Sequence, residues 1–534
     1  MVGLLNLFKR TRSFHEHVAF FVHAGCIIFR LLSKIIRHIL ITLRMEKKTI
    51  MEQYDPQMKI HQMSTWLDEL KQKLNHMDDA EIIEHKIGTS ASVHLLYIKT
   101  LIDPERLNET IIQPLHRSAC NSLSSCITNA KVSEVLSFED AEQKIMQGFI
   151  LLNDSVNDQW LGVQLENPLG RAVEPSQTET VIYGAKDSFS EQIDKNITML
   201  RRRLPITTLK TESFTIGSLS KTKVVLLYID GLTNPEFVSL ARKKIESVDF
   251  DQFLDSSQLA AFIEDHNHTV FPQFLQTDRP DACAYALGEG KLTLLVSNSP
   301  FALIAPITFF HLIQSPEDYF LPWPVASFLR LIRYGSFIVS LTMIPFYVAL
   351  TTFHYQMIPL PILFVLLESR SKLPFTPFTE GLFMIVTLEI IKEASLRMPT
   401  KTSQTLGVIG GIVIGQAAVE AGFASKVLIV LMGISAIAFF LVPNYQVTKS
   451  MVLLQILLLI LASFLGLPGI VIGLIGILAH LHALTSLGQP YLAPIAPFYG
   501  KDWNDLFIRG PLIWMKTRPN YLKPLRKWRQ EMKK

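Results

Sequence analysis

The apolar and polar positions of the chain fall into two regimes. From about residue 52 to 310, short apolar runs rich in β-branched and aromatic residues alternate with charged, amphipathic stretches. From about 330 to 490, apolar runs of ten or more residues dominate. In the first regime two runs repeat one another: Val93–Glu105 reads VHLLYIKTLIDPE and Val224–Glu236 reads VVLLYIDGLTNPE. Each predicts a buried strand feeding a helix. Asp103 or Asn234 can cap that helix, Pro104 or Pro235 suits its first position, and Glu105 or Glu236 favours the positive end of its dipole. A structural role for these carboxylates is therefore favoured over a catalytic one.

Each repeat is followed by a similar pattern. Phe138–Ile145 reads as a helix capped by Ser137 with Asp140 three residues on, and Phe149–Asn153 and Trp160–Leu165 flank a polar turn as a hairpin. In the second half Ala282–Leu287, the turn Gly288–Gly290 and Leu292–Val296 read as the matching hairpin. Two similar α/β subdomains follow, over 52–185 and 186–310, the second including a connecting helix. That helix carries an apolar stripe of Phe189, Ile193, Ile197, Leu200 and Leu204 and ends in Arg201–Arg203, where cations suit the dipole. A solvated or salt-bridged connector is favoured over a subunit or lipid contact.

The second regime predicts an α-helical polytopic membrane domain over 311–490. Phe301–Gln314, apolar with prolines, suits the approach to lipid, and Gly335–Leu350 is the first convincing span. Arg330 and Arg333 just before it place the preceding α/β region in the cytoplasm by the positive-inside rule. Ile358–Leu367 and Phe383–Ile391 read as a broken or re-entrant hairpin, tolerated in lipid only where it is buried in protein or faces water. The charges Glu368, Glu380, Glu389, Glu393 and Arg397 sit in or beside it; intramembrane carboxylates are functional candidates, although pairing with Arg370 or Arg397 could be purely structural. Val427–Val442, Val452–Leu465 and Ile470–Leu484 are further spans. With both ends inside, the count is even, and four is expected. The tail, 491–534, is basic and carries Trp514 and Trp528, which suits an inner leaflet.

The stretch with the most specific chemistry is Gly407–Ala424, GVIGGIVIGQAAVEAGFA. It predicts one helix, long enough at about 26 Å for a tilted span. Its glycines, Gly410, Gly411 and Gly415 among them, let helices approach closely in lipid. Ile409, Val413, Gln416 and Glu420 share one face. A carboxylate near mid-membrane costs about 2.5–3.5 kcal/mol on insertion scales, so this face should meet protein or water. Two readings fit: a span whose Gln and Glu bond a neighbouring helix, or a helix lining a water-filled path through an oligomer.

Charge adds little, since 51 basic residues against 47 acidic do not suggest a nucleic-acid partner. The four cysteines, Cys26, Cys120, Cys126 and Cys283, have no disulfide or zinc spacing and point to a reducing compartment. Residues 1–50 read either as a basic amphipathic helix on the membrane surface or, preferably, as a non-native extension ahead of a start at Met45 or Met51. No phosphate-binding loop, nucleophile elbow or metal-spaced His/Cys set is visible, so no enzyme, cofactor or metal is expected. His266 and His268 beside Glu264 and Asp265 are a weak metal signal, and His480 and His482 suit an interface.

The order of these pieces resembles the A subunits of the GerA-type nutrient germinant receptors of endospore-forming bacteria. The resemblance runs over about 60–520. It is carried by GAKDSFSEQIDKNITMLRRR at 184–203, KVVLLYIDGLTNPE at 223–236, SPFALIAPITFFHLIQSPEDYF at 299–320, EIIKEASLRMP ending at Pro399, and GGIVIGQAAVEAG at 410–422. It implies a subunit of a three-part receptor in the inner spore membrane. The partners would be a transporter-like, nutrient-binding B subunit and a C-subunit lipoprotein. It further implies self-association into a ring that conducts cations once nutrient is sensed. The rivals are a secondary transporter and a membrane scaffold without a pore of its own. Transporters usually repeat within the membrane half, whereas the repeat here lies in the α/β half. A membrane-bound enzyme ranks third.

Overall fold

The computed structural model describes residues 66–87, 91–117, 127, 131–154, 159–167, 183–371, 373–397 and 415–529. The extension 1–50, Cys26, Cys120, Cys126 and residues 398–414 lie outside them. The chain divides into two compact units, Met1–Gln72 and Lys73–Lys534. Residues 66–72 of the first are helical, and the second holds both sheets and the apolar helices.

The first sheet contains β1 (Ala80–Ile87), β2 (Ala91–Ile98), β3 (Val132–Glu134), β4 (Phe149–Asp154) and β5 (Gln159–Gln164). After β2 comes α1 (Pro104–Leu107), which runs on through a π turn to Arg117, and α2 (Phe138–Met146) precedes β4. The second part opens with α3 (Ile193–Arg203). It continues through β6 (Leu209–Ile216), β7 (Thr222–Ile229), α4 (Pro235–Glu246), α5 (Ser256–Ile263), β8 (Leu275–Thr277), α6 (Pro280–Glu289), β9 (Leu292–Val296) and β10 (Ala302–Ala305). The strand orders are β1-β2-β4-β5-β3 and β6-β7-β9-β10-β8. One antiparallel plan is thus used twice. The two runs that repeat in sequence are β2 and β7, each followed by a Pro-initiated helix. Asp103 accepts from the Glu105 and Arg106 amides, and Asn234 accepts from the Glu236 amide at 3.1 Å. Asn234→Ala should cost about 1 kcal/mol, the usual worth of an N-cap, seen as a lower unfolding midpoint of the purified chain.

Even a cross-strand detail recurs. The Tyr97 hydroxyl donates to Glu81 on β1, and the Tyr228 hydroxyl donates to Glu212 on β6 at 2.7 Å. On β7, Val224, Leu226 and Tyr228 pack on α4 and α5, while Val225, Leu227 and Ile229 pack on α3 and α6. Helices covering both faces explain why this antiparallel strand is continuously apolar rather than alternating.

Two expectations fail in this region. Ala282–Leu287 lies in α6, and β9 pairs instead with β10, whose residues belong to the proline-bearing stretch assigned above to the lipid approach. All four β10 residues are buried in the sheet. The connecting helix keeps its stripe, with Phe189, Ile193, Ile197 and Leu200 buried. Its Arg201 takes the salt-bridged form of the expected connector. It is fully buried, with Nε and Nη2 each 2.5 Å from an oxygen of Asp79, which ties α3 to the start of the first sheet.

The remaining helices are α7 (Trp323–Thr352), α8 (Leu360–Arg370), α9 (Pro377–Leu396), α10 (Gly415–Glu420), α11 (Lys426–Phe440), α12 (Tyr445–Leu465) and α13 (Leu467–Ala483). By length and composition α7 and α12 could each cross a membrane, and α11 and α13 are shorter apolar helices. One core joins them to Phe271, Ile307 and Phe309 of the second sheet region.

Candidate functional site in the apolar helices

Of the predicted polar face, the described part is α10. The Gln416 amide donates to Glu420 across one turn at 2.9 Å, so both side chains do share a face. Both are exposed on the single chain, whereas Ala418 on the opposite side is buried. Ile409, Gly410, Gly411 and Val413 lie outside the described residues. The helix does not run through Ala424. It stops at Glu420 because Gly422 adopts φ 72°, and the Phe423 amide closes onto the Ala418 carbonyl at 2.8 Å. This is a glycine-terminated helix end, which only a residue without Cβ enters freely. Gly422 therefore ends a helix instead of packing one, while Gly415 has, among the described residues, only Ile429 nearby, 3.9 Å from where its Cβ would be.

Ser425 then starts α11, its hydroxyl accepting from the Leu428 amide at 3.1 Å. The same hydroxyl lies 2.9 Å from the Tyr347 hydroxyl of α7. The Ser425 amide donates to Oε1 of Glu380 on α9 at 2.5 Å. Glu380 is 1% exposed, and its Oε2 is buried without a hydrogen-bond partner among the described residues. Three helices thus meet at Ser425, five residues beyond the Gln416–Glu420 segment.

The other predicted charges separate. The piece that read as a short apolar fragment is the 20-residue α9. On it Glu389 and Glu393 both accept from Lys449 of α12 at 3.0 Å. Arg397 pairs with Glu393 at 2.9 Å. Glu368 is exposed, and no ion pair between it and Arg370 occurs among the described residues. These are helix-to-helix ties for the most part, and Glu380 is the one deeply buried member.

Two features escaped the sequence reading. Gln455 of α12 donates to the Ser340 carbonyl of α7 at 2.8 Å and lies 3.3 Å from the Ser435 hydroxyl of α11. All three are buried, a polar clamp of the kind that holds apolar helices together. Close backbone approach occurs at α13, where a Cβ on Gly469 would stand 2.2 Å from the Leu461 carbonyl oxygen of α12. A Gln, two serines and a glycine in separate runs give no local signal that they converge.

Arg330 and Arg333 are not loose charges ahead of a span. They lie within α7 and are buried. Asp318, fully buried, accepts from Arg330 Nε at 3.0 Å and from Arg333 Nη2 at 2.5 Å. Asp505 accepts from Arg330 Nη1 at 2.8 Å and from the Tyr319 hydroxyl at 2.7 Å. Burial pushes the Asp505 carboxyl above its ordinary value, although the Arg330 charge and the Tyr319 hydroxyl pull the other way. Arginines neutralised in this way say little about membrane sidedness.

A profile of the family described as "Bacillus/Clostridium GerA spore germination protein" matches residues 68–521. Spore germination protein GerQA of Bacillus cereus is 36% identical over 469 residues, covering 87% of this chain and 93% of its own. Spore germination protein KA of Bacillus subtilis (strain 168) is 32% identical, with 86% and 87% covered. Uncharacterized membrane protein YfkQ of the same organism is 33% identical, with 81% and 86% covered. Among solved structures, the N-terminal domain of the A subunit of the Bacillus megaterium spore germinant receptor GerK3 matches at 28% identity and a TM-score of 0.35, over 46% of this chain and 94% of that one. A family match across most of the chain, with relatives spanning nearly their whole lengths, decides the matter: the chain belongs to the GerA family of Bacillus and Clostridium spore germination proteins.

Proposed function

We propose that the chain is the A-type subunit of a nutrient germinant receptor in the inner membrane of the bacterial endospore, and that it acts without catalysis. In this reading it assembles with a transporter-like B subunit and a lipoprotein C subunit. Copies of it surround a cation path that opens when nutrient is sensed. The 68–521 family match supports the part in germination. The observation that carries the path is the Gln416–Glu420 pair, exposed on a short helix of small residues that follows a glycine-rich stretch. In lipid such a face costs about 2.5–3.5 kcal/mol for the carboxylate alone, so sister copies or water should cover it. Ile409, Gly410, Gly411, Val413 and Gly415 extend the same lining or packing surface, and the N-terminal region and basic tail lie on the cytoplasmic side.

The test is monovalent cation release from spores whose receptor carries Gln416→Ala with Glu420→Ala. Strongly reduced release on nutrient addition, with receptor levels unchanged, is expected. Release at the unaltered rate removes both residues from the path. Subunit counting on the purified receptor tests the assembly separately, and a single copy of this chain would overturn the ring.

A further inference from the structure

Between α6, the Phe309–Phe320 loop and the C-terminal segment from Pro494 to Arg529 lies a cavity of about 430 Å³. That is within the usual size of small-molecule sites, about 300–1,000 Å³. Its apolar side includes Tyr285 and Tyr319, ring centroids 5.1 Å apart, with Trp514 and Tyr521 also lining it.

The polar side shows what kind of occupant fits. Four acids line it, and every carboxylate oxygen is already engaged. Asp281 accepts from Arg279 Nε and Nη2 at 3.0 and 2.6 Å. Asp502 accepts from the Asn520 side chain and from the Asn520 and Tyr521 amides. Asp505 holds Arg330 and Tyr319. Glu289 accepts from Arg529 at 3.1 Å and lies 3.2 Å from Lys291. The cations are not used up in the same way. Arg203 is tied to Asp187 and Lys291 to Glu289. Among the described residues, however, Lys501 is exposed without an ion-pair or hydrogen-bond partner, and Arg529 keeps a buried Nε–H with no acceptor. Among the charged groups lining the cavity the spare hydrogen-bonding capacity is donor capacity, and buried donors are met by acceptors wherever possible.

We propose that this cavity binds a small organic anion. Its carboxylate or phosphate meets Lys501 and the Arg529 Nε–H, and its flat apolar body lies against Tyr285, Tyr319 and Trp514. Such an occupant would rest beside Asp505 and Tyr319, the groups that hold Arg330 of α7.

The test uses the full-length chain purified in detergent and four probes of one shape: benzoate, phenyl phosphate, benzamide and benzylamine. Saturation-transfer NMR titration should show saturable binding of at least one anion, weaker binding of benzamide and none of benzylamine. Benzoate against phenyl phosphate decides which acceptor is preferred. Lys501→Gln should weaken the anion at least about tenfold, the scale of one charge-assisted contact. Arg529→Lys, which can keep the charge facing Glu289, should weaken it too, and Lys527→Gln, outside the cavity, should not. No saturable anion binding, benzylamine binding as well as benzoate, or unchanged affinity in both cavity variants would each overturn the proposal. The readout is binding alone, so it stands apart from the outcome of the cation-release experiment.

Discussion

Asp318→Ala is expected to produce a chain that fails to keep α7 anchored, with a loss of about 3–5 kcal/mol in unfolding free energy, the scale seen when one partner of a buried ion pair is removed. Asp318 has no exposed surface and serves two arginines that are themselves buried. Without it, among the described residues, Arg333 retains only the Ile313 carbonyl, at 3.4 Å, and Arg330 leans wholly on Asp505 and nearby carbonyls. Nη2 of Arg330 already lacks a partner among the described residues, so they offer the site no spare acceptor. The stranded cation is what makes the change costly, and the double variant tests that directly. Asp318→Ala with Arg333→Met should be clearly more stable than Asp318→Ala alone, because the second change removes the uncompensated charge. Thermal unfolding of the purified full-length chain, with the membrane-fraction yield beside it, reads both. If Asp318→Ala melts like the parent, or the second substitution gives no rescue, the pair is not what holds the helix.

The contrast between α/β and helical halves explains how much of this was legible. The doubled sheet was visible because strand β7 and its counterpart β2 carry nearly the same string, and because a cap, a proline and an acid at a helix start are local chemistry. Ala282–Leu287 misled because a short apolar run does not distinguish a buried strand from a buried helix; Pro280 at the first position of α6 and Gly290 at its left-handed end (φ 97°) were the signals that should have decided it. The burial of Arg201 and Arg330 went unread for a different reason. Their partners Asp79 and Asp318 are set by the tertiary arrangement, Asp79 more than a hundred positions away, and no spacing rule finds such pairs. In the helical part the apolar runs located α7, α11, α12 and α13 as helices, two of them long enough to cross a membrane, but not the crossing points. Gly469 and the Gln455 clamp depend on which helices neighbour one another, and that is settled by packing rather than by any one run.

Glu380 is where the helical scaffold and the candidate path come together, and its substitution should separate geometry from charge. Glu380→Leu deprives the Ser425 amide of its acceptor in a buried place, which costs about 1–3 kcal/mol. The loss falls at the first turn of α11, the helix whose capping serine lies five residues after Glu420, and Tyr347 of α7 is held at the same serine. Glu380→Gln keeps a carbonyl oxygen at the Oε1 position and should stay close to the parent in unfolding midpoint. The Leu variant should melt lower and, in spores, release cations abnormally, because α10 is then set at a different angle to the bundle. If the Gln and Leu variants are equally damaged, the negative charge matters and the acceptor geometry does not. If neither is damaged, the amide of Ser425 has another acceptor and Glu380 has no part in orienting the Gln416–Glu420 face. The intermediate outcome, Gln tolerated and Leu not, is the one the buried contact requires.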